Sequence, residues 1–285
     1  MLENKKVLAP PWIAYPYIHR YSIGWRMGSG EAYMMKWSQW YDSLTEKEQK
    51  EYQMLFPEPV IWSGFWQDED TCNYYENGDF IIPFWQENGA YKYCVEDLRQ
   101  RYNRGDKLKY CMFWKPLATE TGELAEGCLG QWWMSDFVSM TNTYCCMEQY
   151  MMAKKALVFG DEKVREEIMN CKDPRTLKAL GRKVHGFEET VWNKVRYSII
   201  LNGNYLKFTQ NDALREYLLS TGNDILVEAS PLDAIWGIRM SANNEHATNP
   251  LKWNGKNLLG FALMEVRDEI RRVWKNAGLC EAVSE

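Results

Sequence analysis

Between residues 161 and 222 helix starts and stops follow one another closely, and no other feature of the chain narrows its fold as far. In "DPRTLKALGRKV" Asp173 offers a cap, Pro174 takes the first helical position and Gly181 closes the segment. "GDEKVREEIMNC" predicts a short helix before it. "ETVWNKVRYSIILNGN" predicts a longer helix that stops at Asn202-Gly203. "TQNDALREYLLSTGN" predicts one opened by a Thr209/Asp212 capping box and ended by Gly222. A single strong strand, "DILVEAS", interrupts the series, and "NLLGFALMEVRDEIRRVWK" reads as a closing amphipathic helix. The expected class is α+β: a mainly helical domain with few strands over 106–285.

Residues 1–105 differ in texture, holding seven of the fourteen Trp in a turn-rich setting. Thr45 and Glu48 form a capping box, with Pro57 ending that helix. Asn77-Gly78 and Asn88-Gly89 are turn dipeptides between short aromatic strands. This region is expected to be a small N-terminal α+β extension of unknown role, with a soft boundary near 105 before the strand "CMFW".

A formal net charge of -5 excludes the broad basic surface of a protein that grips nucleic acid mainly through phosphates. None of the eight Cys forms a C-x-x-C pair, and the three His are too scattered for zinc spacings, so reduced thiols, no metal and no cofactor are expected. The first residues lack the apolar run of a signal peptide, and no segment approaches the ~20 apolar residues of a membrane-spanning helix. A soluble, cytoplasmic protein with no membrane contact is the expectation.

The chemistry concentrates in a few stretches. In "MEQYMMAKKALVFGD" Glu148, Met152 and Lys155 fall on one helical stripe, spanning roughly 10 Å at 1.5 Å per residue. Apolar neighbours would raise the carboxyl and lower the amine, making the lysine a competent nucleophile; the alternative is that Lys154 and Lys155 snorkel into water. In "ILVEASPLDAIWGI" Glu228 follows Leu226 at strand spacing, so a carboxylate points with an apolar neighbour at the end of a buried strand. Asp233 reads either as an ordinary cap or as a carboxylate aimed into a cleft. Trp236 beside Gly237 offers a stacking ring next to open backbone, or a core tryptophan. "GCLGQWWMSDF" adds Gln131 and Trp132 as wall residues. "LKFTQN" sets Lys207 and Asn211 at an expected helix start that favours phosphate, or merely at a solvated cap. There is no G-x-G-x-x-G, P-loop, G-x-S-x-G or H-E-x-x-H motif.

These blocks, "EQYMMAKKALVFGD", "DPRTLKALGRKVHGF", "VWNKVRYSIILNGNYLKFTQN", "LLSTGNDILVEASPLDAIWGI" and "NPLKWNGKNLLGFALMEVR", follow one another as in the NADAR or YbiA-like family, and the resemblance covers about residues 110–273. It implies a YbiA-like fold and hydrolysis of an N-glycosidic bond to ribose. Some members remove ADP-ribose from guanine, reversing a toxin's modification of nucleic acid; others cleave a phosphoribosylamino-pyrimidine of riboflavin biosynthesis. A lysine acting through a Schiff base has been proposed for the family, and motif match assigns it to Lys155, with Glu148, Glu228 and Asp233 beside it. Two departures, Arg239 where glycine is expected and Gly130 where serine is expected, bear on specificity.

The mechanism so implied has Glu148 or Asp233 protonating the leaving nitrogen and Lys155 capturing C1′ as an imine. Glu228 would orient ribose hydroxyls, Trp132 or Trp236 would stack on a base, and Lys207 would meet a phosphate. The expected partner is ADP-ribosylated guanine in DNA or as a nucleoside, with a cognate ADP-ribosyltransferase toxin acting on the same substrate in an antitoxin setting. The competing expectations are a metabolic N-glycosidase and a binding module that holds ADP-ribose without cleaving it.

Overall fold

A computed structural model describes residues 7–67, 74–77, 80–119 and 121–281; Cys72 and Gly78 lie outside the described residues. Helices dominate, and the strands form three two-stranded sheets among the described residues. The N-terminal part contains α1 (Pro11–Ala14), α2 (Gly28–Asp42), α3 (Glu46–Leu55), the antiparallel pair β1 (Tyr74–Asn77) and β2 (Phe80–Pro83), and α4 (Val95–Asn103). The Thr45/Glu48 capping box is formed at the start of α3.

The remainder is built from β3 (Tyr110–Phe113), the hairpin β4 (Phe137–Ser139) and β5 (Asn142–Tyr144), α5 (Met147–Val158), α6 (Glu162–Met169), α7 (Pro174–Gly181), α8 (Glu189–Thr209), α9 (Asp212–Ser220), β6 (Ile225–Glu228) and α10 (Leu258–Val273). β6 pairs with β3 in parallel, placing Phe113 opposite Glu228. Ile225, Leu226 and Val227 are buried, so the strand is covered on both faces, as an apolar run of this kind requires. α10 lies against β6 and α8, and α5 packs on α6, α7 and α8.

Asp173 caps α7 by accepting the N–H of Thr176, with Pro174 at the first turn as expected. Two other boundaries differ from expectation. α8 runs straight through Asn202-Gly203 to Thr209. The reason is packing: a Cβ at Gly203 would stand 2.6 Å from the Tyr150 ring, so glycine here lets α5 and α8 approach. Asn202 spends its amide on the Trp85 indole and the Pro83 carbonyl. Thr209 accordingly belongs to the last turn of α8, donating to the Tyr205 carbonyl, and Asn211 stands at the cap of α9.

Two hydrophobic clusters organise the interior. A smaller one joins residues such as Trp12, Trp37, Tyr52, Phe56 and Trp62, with Val273 of α10 reaching into it. The larger one fills the helical part and takes in Ile82, Val95 and Leu98. The segment after residue 80 is thus tied to the helical body by apolar contact and by polar links, including the Arg99 guanidinium to the Pro250 and Trp253 carbonyls.

Candidate active site

Glu228 closes β6, and its position is fixed by backbone bonds on both sides. Its N–H donates to Asn257 Oδ1 at 3.0 Å, and its carbonyl accepts the Ile238 N–H at 3.0 Å. Asn257 is fully buried in the left-handed region (φ 52°), where asparagine is tolerated better than most residues. It donates Nδ2 to the Leu226 carbonyl and its own N–H to the Gly237 carbonyl. One side chain therefore clasps the strand to the loop that follows it.

That loop carries Asp233. Its Oδ1 accepts the N–H groups of Ile235 and Trp236, at 2.9 and 2.8 Å, and its Oδ2 lies 3.9 Å from Lys178 Nζ. The cap reading of Asp233 holds, since Oδ1 caps a turn, while Oδ2 faces the Lys178 cation. The same loop explains the departure at Arg239. This residue sits at φ 56°, a conformation glycine adopts without cost, and its N–H donates to the Asp233 carbonyl.

α5 brings Glu148 to the same place. Its N–H donates to the Gln131 carbonyl, and its Oε2 accepts the Trp132 indole N–H at 3.2 Å. Oε1 is buried and has no hydrogen-bond partner among the described residues; the same holds for Glu228 Oε2 and Gln131 Oε1. The loop bearing Gln131 and Trp132 is held from beneath by Lys207, whose ammonium donates to the Cys128 and Gly130 carbonyls at 2.7 and 3.2 Å.

The electrostatics show that these groups share one field. Burial pushes the Glu148 carboxyl up to about 7; Asp233 pushes the same way, while Lys178, the Trp132 N–H and Arg182 oppose it. Burial, and then the charges of Asp233 and Glu148, push Glu228 up to about 8 against the pull of Lys178. Glu148 and Glu228 are therefore coupled to each other in the field of Asp233 and Lys178, and burial favours a proton on the pair near neutral pH.

The structure brings together Glu148, Glu228, Asp233, Trp132 and Gln131, and adds Lys178, which sequence reasoning missed. Lys155 lies two turns beyond Glu148 on α5 and reaches the end of α7. Its Nζ donates to the Gly181 carbonyl at 2.7 Å and lies 4.2 Å above the Phe187 ring. Burial alone lowers its amine, and none of the three carboxyls pairs with it. Lys207 is completely buried, so it offers nothing to an incoming phosphate; α8 does not begin at "LKFTQN" but ends there. Asn211 donates to the Asp136 and Lys207 carbonyls and lines a cavity of about 640 Å³ with Trp133 and Gln210, which none of the three carboxyls lines. Trp236 is only 8% exposed, and a Cβ on Gly237 would meet the Glu228 carbonyl at 2.7 Å. The backbone there is closed against the strand, so the ring is a packed wall rather than an open platform.

Residues 112–271 match the NADAR domain, more than half of the chain and all of the residues just described. The chain belongs to the NADAR domain family. An N-glycosidase of Acanthamoeba polyphaga mimivirus is 46% identical over 144 residues, covering 49% of this chain and 85% of the relative. The N-glycosidase YbiA of Escherichia coli is 34% identical over 128 residues, 45% of this chain and 71% of the relative. The solution structure of the E. coli protein YbiA shares 28% identity, covers 57% of this chain and 84% of its own, and superposes with a TM-score of 0.46. The relatives named N-glycosidases place this chain among the N-glycosyl hydrolases.

Proposed function

We propose that this N-glycosyl hydrolase removes ADP-ribose from guanine in nucleic acid or nucleoside form, as an antitoxin to a guanine-directed ADP-ribosyltransferase in the cytoplasm. The named relatives support the bond type, and the motif blocks support the substrate class. The observation that carries the chemistry is the convergence of Glu148, Glu228 and Asp233 on Lys178. A carboxyl that holds its proton near neutrality is a suitable general acid, because it can give that proton up at the moment the leaving group needs it.

In the proposed reaction Glu148 gives its proton to the guanine nitrogen as the C1′–N bond breaks, the bonding electrons leaving with the base. The ribose gains oxocarbenium character, which the neighbouring carboxyls favour. A lysine ammonium first gives a proton to the Glu148 carboxylate left by that transfer, and the free amine then adds to C1′ and passes its second proton to a neighbouring carboxylate. The ring oxygen takes up a proton as the sugar opens to an imine, and water releases free ADP-ribose and the amine. Motif match favours Lys155 as this amine; the geometry favours Lys178, which alone of the two stands against Asp233. The residues before the helical body are proposed as an extension that does not itself carry this chemistry.

The test is parallel incubation with ADP-ribosylated guanosine and with a phosphoribosylamino-pyrimidine, read by mass spectrometry, with borohydride added during turnover. Release of guanosine and a trapped sugar mapped to Lys178 is the expected result. Trapping at Lys155 would move the amine without changing the reaction class. Turnover of the pyrimidine alone would refute the proposed substrate, and turnover without any trapped adduct would favour direct attack by water.

A further inference from the structure

Arg196 lies on α8, one helical turn beyond Trp192, and only 6% of it is exposed. Its guanidinium makes no hydrogen bond and no ion pair among the described residues, and its Nε is buried without a partner. Among the described residues the other buried arginine, Arg267, shares an unpartnered Nε but donates from a terminal nitrogen to the Thr221 hydroxyl at 2.7 Å, and the buried Lys207 has its two carbonyls. Arginine cannot escape burial by losing its proton, so an unpaired guanidinium at such a depth is costly unless something anionic joins it. Among the described residues the Trp236 ring answers its charge, with the guanidinium carbon 6.0 Å from the ring centroid. A contact at that distance offsets only a small part of the cost.

The location gives this unpaired charge a meaning. Trp236 belongs to the loop of Asp233, which accepts the Trp236 N–H. An anion seated on Arg196 would therefore lie beside the loop that carries one of the three carboxyls. Those carboxyls repel a phosphate, so a substrate with both a sugar to be cleaved and a phosphate to be held needs its cation set apart from them. None of the charges that move Glu228 is Arg196.

We infer that Arg196 is the phosphate-binding residue of this site, its planar fork taking two oxygens of a substrate phosphate or diphosphate against the Trp236 wall. The inference deepens the proposed function, since ADP-ribose carries a diphosphate, yet it concerns the anion and not the base. The chemistry is shared by a diphosphate bridge and a terminal phosphate monoester, and the test separates them.

Binding of ADP-ribose, inorganic pyrophosphate, ribose 5-phosphate and unphosphorylated adenosine is measured by calorimetry on the full chain and on Arg196→Met and Arg196→Lys. Circular dichroism checks folding. The expected result is a loss of ten-fold or more in affinity for the phosphorylated ligands in Arg196→Met and a smaller loss in Arg196→Lys, with adenosine unchanged. Pyrophosphate and ADP-ribose bound more tightly than ribose 5-phosphate identifies a diphosphate site; the reverse order identifies a monoester site and counts against ADP-ribose as substrate while leaving Arg196 in place. If Arg196→Met does not fold, Arg196→Lys decides, because it keeps the charge and most of the volume but loses the fork. Phosphorylated ligands bound equally by wild type and by the folded variants, or an equal loss for adenosine, would overturn the inference without touching the hydrolase reading.

Discussion

Glu228→Gln should make the protein more stable and less active, and the gain in stability should depend on pH. The wild-type carboxyl is pushed up from 4.5 to about 8 by burial and by the charges of Asp233 and Glu148. Between those values the folded state binds a proton that the unfolded state has lost, so stability falls as pH rises through this window. Each pH unit within it costs about 1.4 kcal/mol. At pH 5.5 the penalty is on the order of 1 kcal/mol, and at pH 8.5 it reaches at most about 5 kcal/mol, because part of it is shared with Glu148. Glutamine keeps the shape and cannot ionise, so it removes the penalty at both values. The advantage of the variant should then be larger at pH 8.5 by about 1 to 3 kcal/mol. Urea unfolding of both proteins at the two pH values, with activity read in parallel, measures this difference. A variant equally stabilised at both, or destabilised at pH 8.5, would show that Glu228 finds its counter-charge in the folded protein and that the carboxyl set does not hold a proton.

Other outcomes follow from the same geometry. Trp132→Phe removes the N–H that steadies the Glu148 carboxylate, so the carboxyl should rise further and the alkaline limb of the pH–rate profile should move up by about one unit; an unmoved limb would mean that Glu148 is not the acid. Asn257→Ala breaks the two side-chain links that hold the end of β6 at a buried site, and should cost about 2 to 4 kcal/mol in chemical denaturation together with most of the turnover. Arg239→Gly relieves a left-handed backbone on an exposed residue and should raise stability by about 1 kcal/mol in the same assay. Lys178→Met should abolish borohydride trapping while Lys155→Met retains it, as judged by peptide mass; the opposite pattern would return the amine to Lys155.

The carboxyls were legible in the sequence because their neighbours are apolar. Glu148 is set among Met and Cys, and Glu228 follows Leu226 at strand spacing; a charge in such company needs a purpose whatever the fold. The helices and the one strong strand were legible for a related reason, since Asp173-Pro174 at the start of α7 and the run of "DILVEAS" speak through local chemistry alone. Lys178, Asn257 and Arg196 were not legible. Lys178 looks like a solvated residue on a short helix until α7 is laid beside the Asp233 loop. Asn257 looks like a cap, yet it is a buried clasp on a strand 31 residues before it. The same blindness to long-range packing explains the errors at α8, where Asn202-Gly203 reads as a stop but serves a close contact with Tyr150, and where Lys207 reads as a surface cation but holds the Trp132 loop from inside.

This division has a physical consequence for the site. Glu148 and Glu228, both visible in the sequence, are raised first of all by burial, which apolar neighbours announce. Those hidden from it supply opposite charge and position, and arrive from α7, α8 and the start of α10. The carboxyls by themselves would repel one another and stay protonated, giving an acid with nothing to stabilise the sugar cation. Lys178 lowers both Glu148 and Glu228, against the direction of burial, and so holds the set near the point where a proton can leave and return. The α7 placement is therefore predicted to shape the pH dependence of turnover as much as α5 and β6 do. Loosening α7 without touching any carboxyl, for example by Asp173→Ala at its cap, should shift the pH–rate profile upward as well as cost about 1 kcal/mol of stability. A loss of stability with an unshifted profile would show that Lys178 does not tune the carboxyls.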